Sequence, residues 1–288
     1  MENLNIYESI AERTQGDIYV GVVGPVRTGK STFIKRFMDL LVIPNVTNTY
    51  VKERVVDELP QSGAGRTITT TEPKFVPAEA VSLELPGNIN FKVRMVDCVG
   101  YMVKNALGHQ ENGKARMVNT PWQENQIPFE EAAEIGTRKV INDHSTIGIV
   151  VTTDGSIGEI ERDSYLSAEE RVVKELKELN KPFVIVLNSI NPEAEDTQQL
   201  KYNMEEKYGV PVVAANCARM NTNVLNQILS ETLYEFPAAQ ITFHLPGFIE
   251  GLSNDHWIKA TIISNIKEWS KTFDNIRDIK DSINSLED

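Results

Sequence analysis

The sequence predicts an α/β fold: a mixed, mostly parallel sheet flanked by helices, with a helical extension at the carboxyl end. Three observations predict it. Short β-branched apolar runs, at 18–23, 145–152, 183–187 and 210–214, read as strands buried on both faces. Stretches with apolar residues at helical spacing separate them. The first run also passes through a glycine-bounded loop straight into a helix, in the unit IYVGVVGPVRTGKSTFIKRFM at 18–38.

That unit narrows the class to a P-loop NTPase. Gly24-x-x-x-x-Gly29-Lys30-Ser31 fits the phosphate-binding pattern in full, in the strand–loop–helix setting the pattern needs. The candidate nucleotide contacts are Gly24, Pro25, Val26, Arg27, Thr28 and Gly29 in the loop, and Lys30, Ser31 and Thr32 at the helix start. Main-chain N–H groups are expected to point inward around the phosphates. Lys30 brings a point charge to the β- and γ-phosphates, and the Ser31 hydroxyl is a Mg²⁺ ligand. The helix beginning at Lys30 aims its N-terminus at the same anion.

In chain order, residues 1–16 read as a short helix with Ile6, Ile10 and Ala11 on its apolar side. Helix 30–42 buries Phe33, Ile34, Phe37, Met38 and Leu41 and is expected to stop at Pro44. Residues 45–71 read as a polar, switch-like loop ending in a threonine run. Thr69, Thr70 and Thr71 are candidates for a hydroxyl that senses Mg²⁺ and the γ-phosphate. Read blandly, the run is a β-prone lead into a strand at 71–75. Segments 80–85 and 89–96 form a hairpin across Pro86-Gly87-Asn88.

The second hairpin strand delivers Asp97, followed by Cys98-Val99-Gly100. An acid at that place can hold Mg²⁺, and the Gly100 N–H can meet the γ-phosphate. Asp97 and Gly100 therefore join the candidate site. The next residue, often a water-orienting Gln in signalling GTPases, is Tyr101. Either hydrolysis is slow or another group positions the water. Residues 101–128 read as a long polar insertion, a switch extension or partner surface, with Lys114 and Arg116 as candidate charge donors. A solvated loop is the alternative.

Helix 129–142 follows, with acids first and bases last. Thr153-Asp154-Gly155 reads as a turn, and helix 163–180 carries Glu169, Glu170, Arg171, Lys174, Glu175, Lys177 and Glu178 on what reads as a solvated face. Strand 183–187 ends in Asn188-Ser189-Ile190-Asn191, where a GTPase would carry Asn-Lys-x-Asp. A neutral amide cannot supply two acceptors to guanine, but it offers the donor and acceptor that adenine asks for. Asn188 and Asn191 are therefore candidate base contacts, and ATP is the expected nucleotide. Ala215-Asn216-Cys217 lies where base-contacting backbone amides are expected. Helix 221–235 and an apolar segment at 240–245 follow. From Ser253 a helical pattern bears so many large apolar residues that it wants a partner surface. It stops at Leu286-Glu287-Asp288 without a capping glycine, so the natural chain is expected to continue.

Bulk properties bound the rest. In 288 residues, 29 basic against 41 acidic side chains leave a formal charge of −12, which argues against a nucleic-acid partner. Cys98 and Cys217 are the only cysteines and have no metal spacing, so a reducing compartment is expected. No apolar run approaches transmembrane length, and the acidic start MENLNIYESI lacks a signal-peptide core. Soluble and cytosolic is the expectation. The division expected is an ATPase domain at 1–237 and the start of a strand and helical region at 238–288.

The chain also resembles, over essentially its whole length, the stage IV sporulation protein A family, the spore-coat morphogenetic ATPases of endospore-forming bacteria. The resemblance is carried by DIYVGVVGPVRTGKSTFIKRFM, DELPQSGAGRTITTTEPKFVP, VRMVDCVGY, NTPW, PFEEAAEIGTRKVI, HSTIGIVVTTDGSIG, KPFVIVLNS and LYEFP. It implies a GTPase-like, translation-factor-related P-loop fold that has switched to ATP with Mg²⁺. It implies that Lys30 is the phosphate-loop lysine, Asp97 the Mg²⁺-associated acid, and Thr70 and Thr71 the sensor threonines, Thr70 at the metal. It further implies hydrolysis coupled to self-assembly into a polymer, the basement layer of the coat, peripheral at the outer forespore membrane in the mother cell. Other spore-coat morphogenetic proteins are implied partners, as is a small amphipathic membrane-surface peptide. That peptide is contacted by a carboxyl-terminal part this chain lacks. Two rivals remain at this point: a GTP-dependent regulatory switch, and a scaffold that binds nucleotide without hydrolysing it.

Overall fold

A computed structural model describes residues 2–60, 73–85, 89–106, 110–111, 114–121, 123–238 and 240–287. The chain forms two compact units, 1–232 and 233–288. The first is built on a six-stranded sheet of β1 (Asp17–Val23), β2 (Lys74–Leu85), β3 (Ile89–Asp97), β4 (Ile147–Thr153), β5 (Phe183–Asn188) and β6 (Val212–Ala215). The spatial order is β6-β5-β4-β1-β3-β2, parallel throughout except for β2, which runs antiparallel along β3. This is the mixed, mostly parallel P-loop architecture the sequence predicts.

Every residue of β4 and β5 is buried. A strand covered on both faces has no use for polar–apolar alternation, which is why both read as continuous apolar runs. The helices are α1 (Glu2–Arg13), α2 (Lys30–Phe37), α3 (Thr49–Asp57), α4 (Phe129–Asp143), α5 (Leu166–Glu178), α6 (Glu195–Tyr208) and α7 (Thr222–Tyr234). Phe129, Val140, Val172, Leu176, Met204 and Tyr208 from α4, α5 and α6 share one core cluster with Val96, Val150 and Ile185 of the sheet. On the other face, α1 stacks Tyr7 on Phe91 of β3, with ring centroids 6.2 Å apart. The Tyr7 hydroxyl ties α1 to Asn226 of α7 at 2.5 Å.

The structure departs from the sequence reading in several places. Residues 49–57 are helical, started by the Asn48 side chain accepting from the N–H groups of Tyr50 and Val51, so the polar stretch after α2 is only partly a loop. Chain 38–45 continues as a wide turn and a short helical piece that includes Pro44, so proline does not end it there. The described end of the 71–75 fragment, from Lys74, and the 80–85 fragment are one strand, β2, with a register break between Val76 and Val81. The insertion after Gly100 contains a hairpin pairing 117–120 with 123–128.

The largest departure concerns α5. Glu169, read as solvated, is wholly buried. It accepts from both guanidinium arms of Arg162 (2.6 and 2.8 Å), from Thr152 Oγ1 (2.5 Å) and from Tyr208 Oη (2.8 Å). The periodicity contained the reason. Position 169 stands at i, i+3, i+4 and i+7 with buried Val172, Val173 and Leu176, so it lies on the apolar stripe. A charge there is tolerated because four donors surround it.

The second unit contains α8 (Trp257–Ser270) and α9 (Ile276–Glu287). Trp269 meets Phe273 edge-on at 4.9 Å, and Arg277 pairs with Glu235 at 2.5 Å. Segment 240–245 is not a strand, and the helical run beginning at Ser253 is two helices rather than one. Phe248 and Trp257 are exposed. Among the described residues no helix is long and apolar enough to cross a membrane.

Two outcomes follow from this packing. Replacing Glu169 with Ala strands the Arg162 charge and two hydroxyls, and should cost about 3–5 kcal/mol in urea denaturation; a loss below about 1 kcal/mol would show that the buried network carries little weight. Burial pushes the Cys98 thiol up to about 11 and the Cys217 thiol up to about 12. Both are therefore protonated at pH 8 and shielded, so iodoacetamide should leave them unlabelled in the folded chain and label both in denaturant.

Candidate functional site

The ends of β1, β3, β4 and β5 lie side by side, and the loops leaving them form the site. In the parallel register Val22 stands opposite Asp97, which sets the carboxylate beside the start of loop 24–29. Ser31 Oγ donates to Asp97 Oδ2 at 2.7 Å. The other oxygen, Asp97 Oδ1, is buried without a hydrogen-bond partner. Burial raises the Asp97 carboxyl above the ordinary range, opposed by the Ser31 hydrogen bond and the Lys30 and Lys74 charges.

Lys30 is 5% exposed. Its ammonium donates to the carbonyls of Pro25 (2.6 Å) and Gly24 (3.4 Å), so it is folded back into its own loop. Burial lowers its pKa, and the neighbouring Asp97 charge works the other way.

The loop is also held from outside. The Val26 N–H donates to the Tyr101 carbonyl at 2.9 Å, and the Tyr101 N–H to the Gly24 carbonyl at 3.3 Å. Two corrections to the ring of inward amides follow. Pro25 has no N–H and contributes a carbonyl to Lys30 and to Thr28 Oγ1, and the Val26 N–H is spent on Tyr101. Gly100 explains itself here. With φ at +95°, a Cβ would lie 2.2 Å from the Gly24 carbonyl oxygen and 2.6 Å from Lys30 Nζ.

Tyr101 itself does not face the loop through its ring. It is 2% exposed. Its hydroxyl is bonded to Glu175, and the Arg171 guanidinium lies 4.4 Å from its ring centroid. Burial and the Glu175 contact hold its pKa above the ordinary phenol value. The phenol is thus taken out of any water-positioning role.

Asn188 needs a correction as a base contact. Its Nδ2 donates to the Thr28 carbonyl at 3.0 Å and its Oδ1 accepts from the Cys217 N–H at 3.0 Å. Both ends of the amide are committed, so Asn188 clamps the phosphate loop to the loop after β6. Gly29 is required by the same contact, since a Cβ there would lie 2.3 Å from Asn188 Nδ2. Asn191 differs: it is exposed, and its side chain makes no hydrogen bond among the described residues, while its N–H donates to Ser189 Oγ at 3.0 Å.

Thr70 and Thr71, with Thr69, lie outside the described residues. Thr32 is half-buried in the first turn of α2. Of the suggested charge donors, Lys114 is exposed, and Arg116 sits 5.2 Å from the Phe129 ring centroid.

Sequence reasoning missed a wall of the site. Asp154, read only as part of a turn, accepts from Ser156 N (2.9 Å) and Ser156 Oγ (2.6 Å), and its carboxyl is lowered overall although burial opposes it. Ser156 Oγ in turn accepts from the Ile190 N–H at 2.9 Å, and Asn216 Nδ2 donates to the Ile190 carbonyl at 3.2 Å. These contacts join the loops after β4, β5 and β6. The Asp-Gly-Ser triplet is an Asx-turn signal, but nothing in it says which loop it will meet.

The oxygen donors suit a small hard cation. Mg²⁺ takes one or two protein oxygens and completes its shell with water and phosphate. A serine hydroxyl against a carboxylate with one unsatisfied oxygen is such a set. Among the described residues no group of three or more His, Cys, Asp or Glu side chains forms a full protein cage.

Asn188→Ala frees the buried Thr28 carbonyl and Cys217 N–H, and should cost about 1–3 kcal/mol in stability. The ratio of ATP to GTP affinity, measured by competition, should stay unchanged; a shift in that ratio would make Asn188 a base reader after all.

Residues 1–237 match the family description "Stage IV sporulation protein A, ATPase domain", and residues 238–288 match "Stage IV sporulation protein A, middle domain". The chain is 55% identical over 278 residues to stage IV sporulation protein A of Clostridioides difficile, 52% over 279 to that of Bacillus anthracis, and 50% over 279 to that of Bacillus subtilis. These alignments take in 96–97% of the chain and 57% of each relative, so the chain spans little more than half the length of the curated relatives it matches. Among solved structures, a GTP-binding protein of Sulfolobus solfataricus in complex with GDP superposes with a TM-score of 0.41 at 14% identity, covering 80% of this chain and 57% of that one.

Proposed function

The chain belongs to the stage IV sporulation protein A family, and on that premise we propose that it binds ATP with Mg²⁺ and hydrolyses it to ADP and phosphate. The observation that carries the reading is the Ser31–Asp97 pair, with its unsatisfied carboxylate oxygen, set beside a lysine ammonium inside the phosphate loop. Hydrolysis is coupled to self-assembly of the basement layer of the spore coat on the forespore surface. The chain's partners in this reading are other spore-coat morphogenetic proteins and a small amphipathic membrane-surface peptide, the peptide through a carboxyl-terminal part outside this sequence.

Ser31 and Asp97 would hold the metal, which when bound neutralises phosphate charge. Lys30 has three N–H donors, two of them spent on loop carbonyls, and turns the remaining one to the β- and γ-phosphates. The α2 N-terminus faces the same anion. Gly100 is packed against Lys30 and Gly24, so a γ-phosphate beside Lys30 bears directly on Gly100 and on the chain that follows. Thr70 and Thr71 are the sensors of the γ-phosphate in this reading. Support for adenine comes from position 191, where an amide stands in place of an acid, and from Ser189, whose hydroxyl is taken by Asn191 N and Thr197.

A scaffold that holds nucleotide without cleaving it is a second reading, favoured by the removal of the Tyr101 side chain from the loop. Phosphate release under saturating ATP and Mg²⁺ separates the two. Lys30→Ala is expected to weaken ATP binding by about 100-fold or more, since a buried charged donor is lost. Thr70→Ala and Thr71→Ala should bind ATP normally but fail to assemble. Undiminished turnover in Lys30→Ala would refute the site, and clear preference for GTP in direct competition would refute the adenine assignment.

A further inference from the structure

The phosphate loop is met by one apolar side chain from the loop after β4. In the ATPase reading a bound triphosphate has its terminal end on the β3 side, where Asp97, Ser31 and Gly100 gather. The rest of the nucleotide then lies across the loop toward β5. In the strand order β5-β4-β1-β3 it must pass the loop after β4 on the way. From that loop Ile157 reaches in. Its Cδ1 lies 3.7 Å from where a Cβ on Gly29 would stand, a position that Asn188 Nδ2 approaches to 2.3 Å.

Ile157 is half-buried and lies outside the core cluster that takes in Ile160, three residues on and 3% exposed. Its place is fixed by the backbone before it. Asp154 Oδ1 accepts from Ser156 N and Oγ, and Ser156 Oγ accepts from the Ile190 N–H, which pins the residue preceding Ile157 to the 188–191 segment. Arg162 holds the root of the same loop by donating to the Thr153 carbonyl at 3.1 Å. Gly158 is exposed, with nothing within 4 Å of where its Cβ would stand, so the chain beside Ile157 is uncrowded. A rigid loop thus presents an apolar side chain to the phosphate loop without sinking it into the core. A packing plug would be as buried as Ile160.

We propose that Ile157 is the apolar wall against which the nucleoside of bound ATP, its ribose and purine ring, comes to lie. This rests on the ATPase reading above. Small-molecule sites combine apolar surface with a few placed polar groups. Here the side chains at 188 and 189 are already engaged, Asn188 by Thr28 and Cys217, Ser189 by Asn191 N and Thr197. The carbon face of a ribose and the flat face of a purine are the parts of the nucleotide that water hydrates least well. An isoleucine beside the phosphate loop takes such surface out of water. The contact therefore adds affinity for ATP and nothing for a bare triphosphate. It meets adenine and guanine alike, so it adds grip without choosing the base.

The test uses the full chain with Ile157→Ala and Ile157→Leu, and measures binding of ATP, GTP and inorganic triphosphate, each with Mg²⁺, by titration calorimetry. In Ile157→Ala, ATP is expected to bind about tenfold more weakly and GTP to weaken by the same factor, because most of the apolar contact is lost. Inorganic triphosphate should bind within about twofold of its affinity for the unsubstituted chain. That result also shows the phosphate loop intact, so the loss of ATP affinity cannot be put down to unfolding. Ile157→Leu keeps the apolar area and should hold ATP within about threefold. Unchanged ATP affinity in Ile157→Ala overturns the proposal. So does an equal loss for ATP and triphosphate, which would make Ile157 a prop for the loop. If the unsubstituted chain binds none of the three, the nucleotide reading itself fails and this proposal with it; binding in that chain that Lys30→Ala sharply weakens upholds the reading whatever Ile157 does.

Discussion

A lysine ammonium held inside its own loop is the constraint around which the first unit is arranged. Moving a bare ammonium out of water costs several kcal/mol even after relaxation. Here the cost is offset by the carbonyls of Gly24 and Pro25 and by the nearby Asp97 carboxylate. Bringing these groups together requires β1 and β3 to end level with each other, which the pairing of Val22 with Asp97 achieves. It also requires the chain after Asp97 to pass close over the loop, and only glycine at position 100 permits that approach. The parallel order β4-β1-β3 is therefore the scaffold of the site as well as the core of the domain.

Two straps leave this centre in opposite directions. Asn188 runs from the Thr28 carbonyl to the Cys217 N–H and binds the loop to the far half of the sheet. Tyr101 runs the other way. Its backbone bridges to Pro25 and Val26, while its side chain reaches Glu175 and lies beneath Arg171, which in turn grips Glu134 on α4 through both guanidinium arms (2.6 and 2.8 Å). A displacement of Gly100 must therefore be carried along Tyr101 to α5 and α4, or must break these contacts. The loop after β4 is anchored by the Arg162–Glu169 pair and, through Ser156, is also tied to the loop after β5.

The parts of this arrangement legible in the sequence are those set by local pattern. The buried parallel strands announce themselves by composition, and the phosphate loop by spacing, because a cradle for an anion tolerates few alternatives. What escaped the reading depends on contacts distant in sequence. Asn188 has the residue type of a base reader, and only the fold reveals that Thr28, 160 positions away, takes its amide. Glu169 was legible in principle from the period of α5, but its charge drew it to the surface in a reading by residue type. The hairpin at 117–128 hides in polar residues because a small, partly exposed ladder needs little apolar surface. Helix α3 hides in the same way: Val55 is its one buried residue, so its apolar stripe is almost absent.

The two ends of the proposed nucleotide site are built to different standards. At the phosphate end, Lys30, Ser31, Asp97 and the loop backbone are each fixed by at least one hydrogen bond. At the base end, the amide of Asn188 is spent and the hydroxyls of Ser189 and Ser156 are engaged by the protein, leaving the Asn191 side chain as the open polar group of the 188–191 segment. In the proposed complex most of the binding free energy would therefore reside with the triphosphate, whose charge every purine nucleotide shares. Discrimination between bases falls to one amide and the neighbouring main chain, worth about 1–3 kcal/mol if a buried partner would otherwise go unpaired. Under the proposed adenine assignment, a site so divided would be selective by what it fails to offer guanine, the pair of acceptors an acid at position 191 would supply, more than by what it offers adenine.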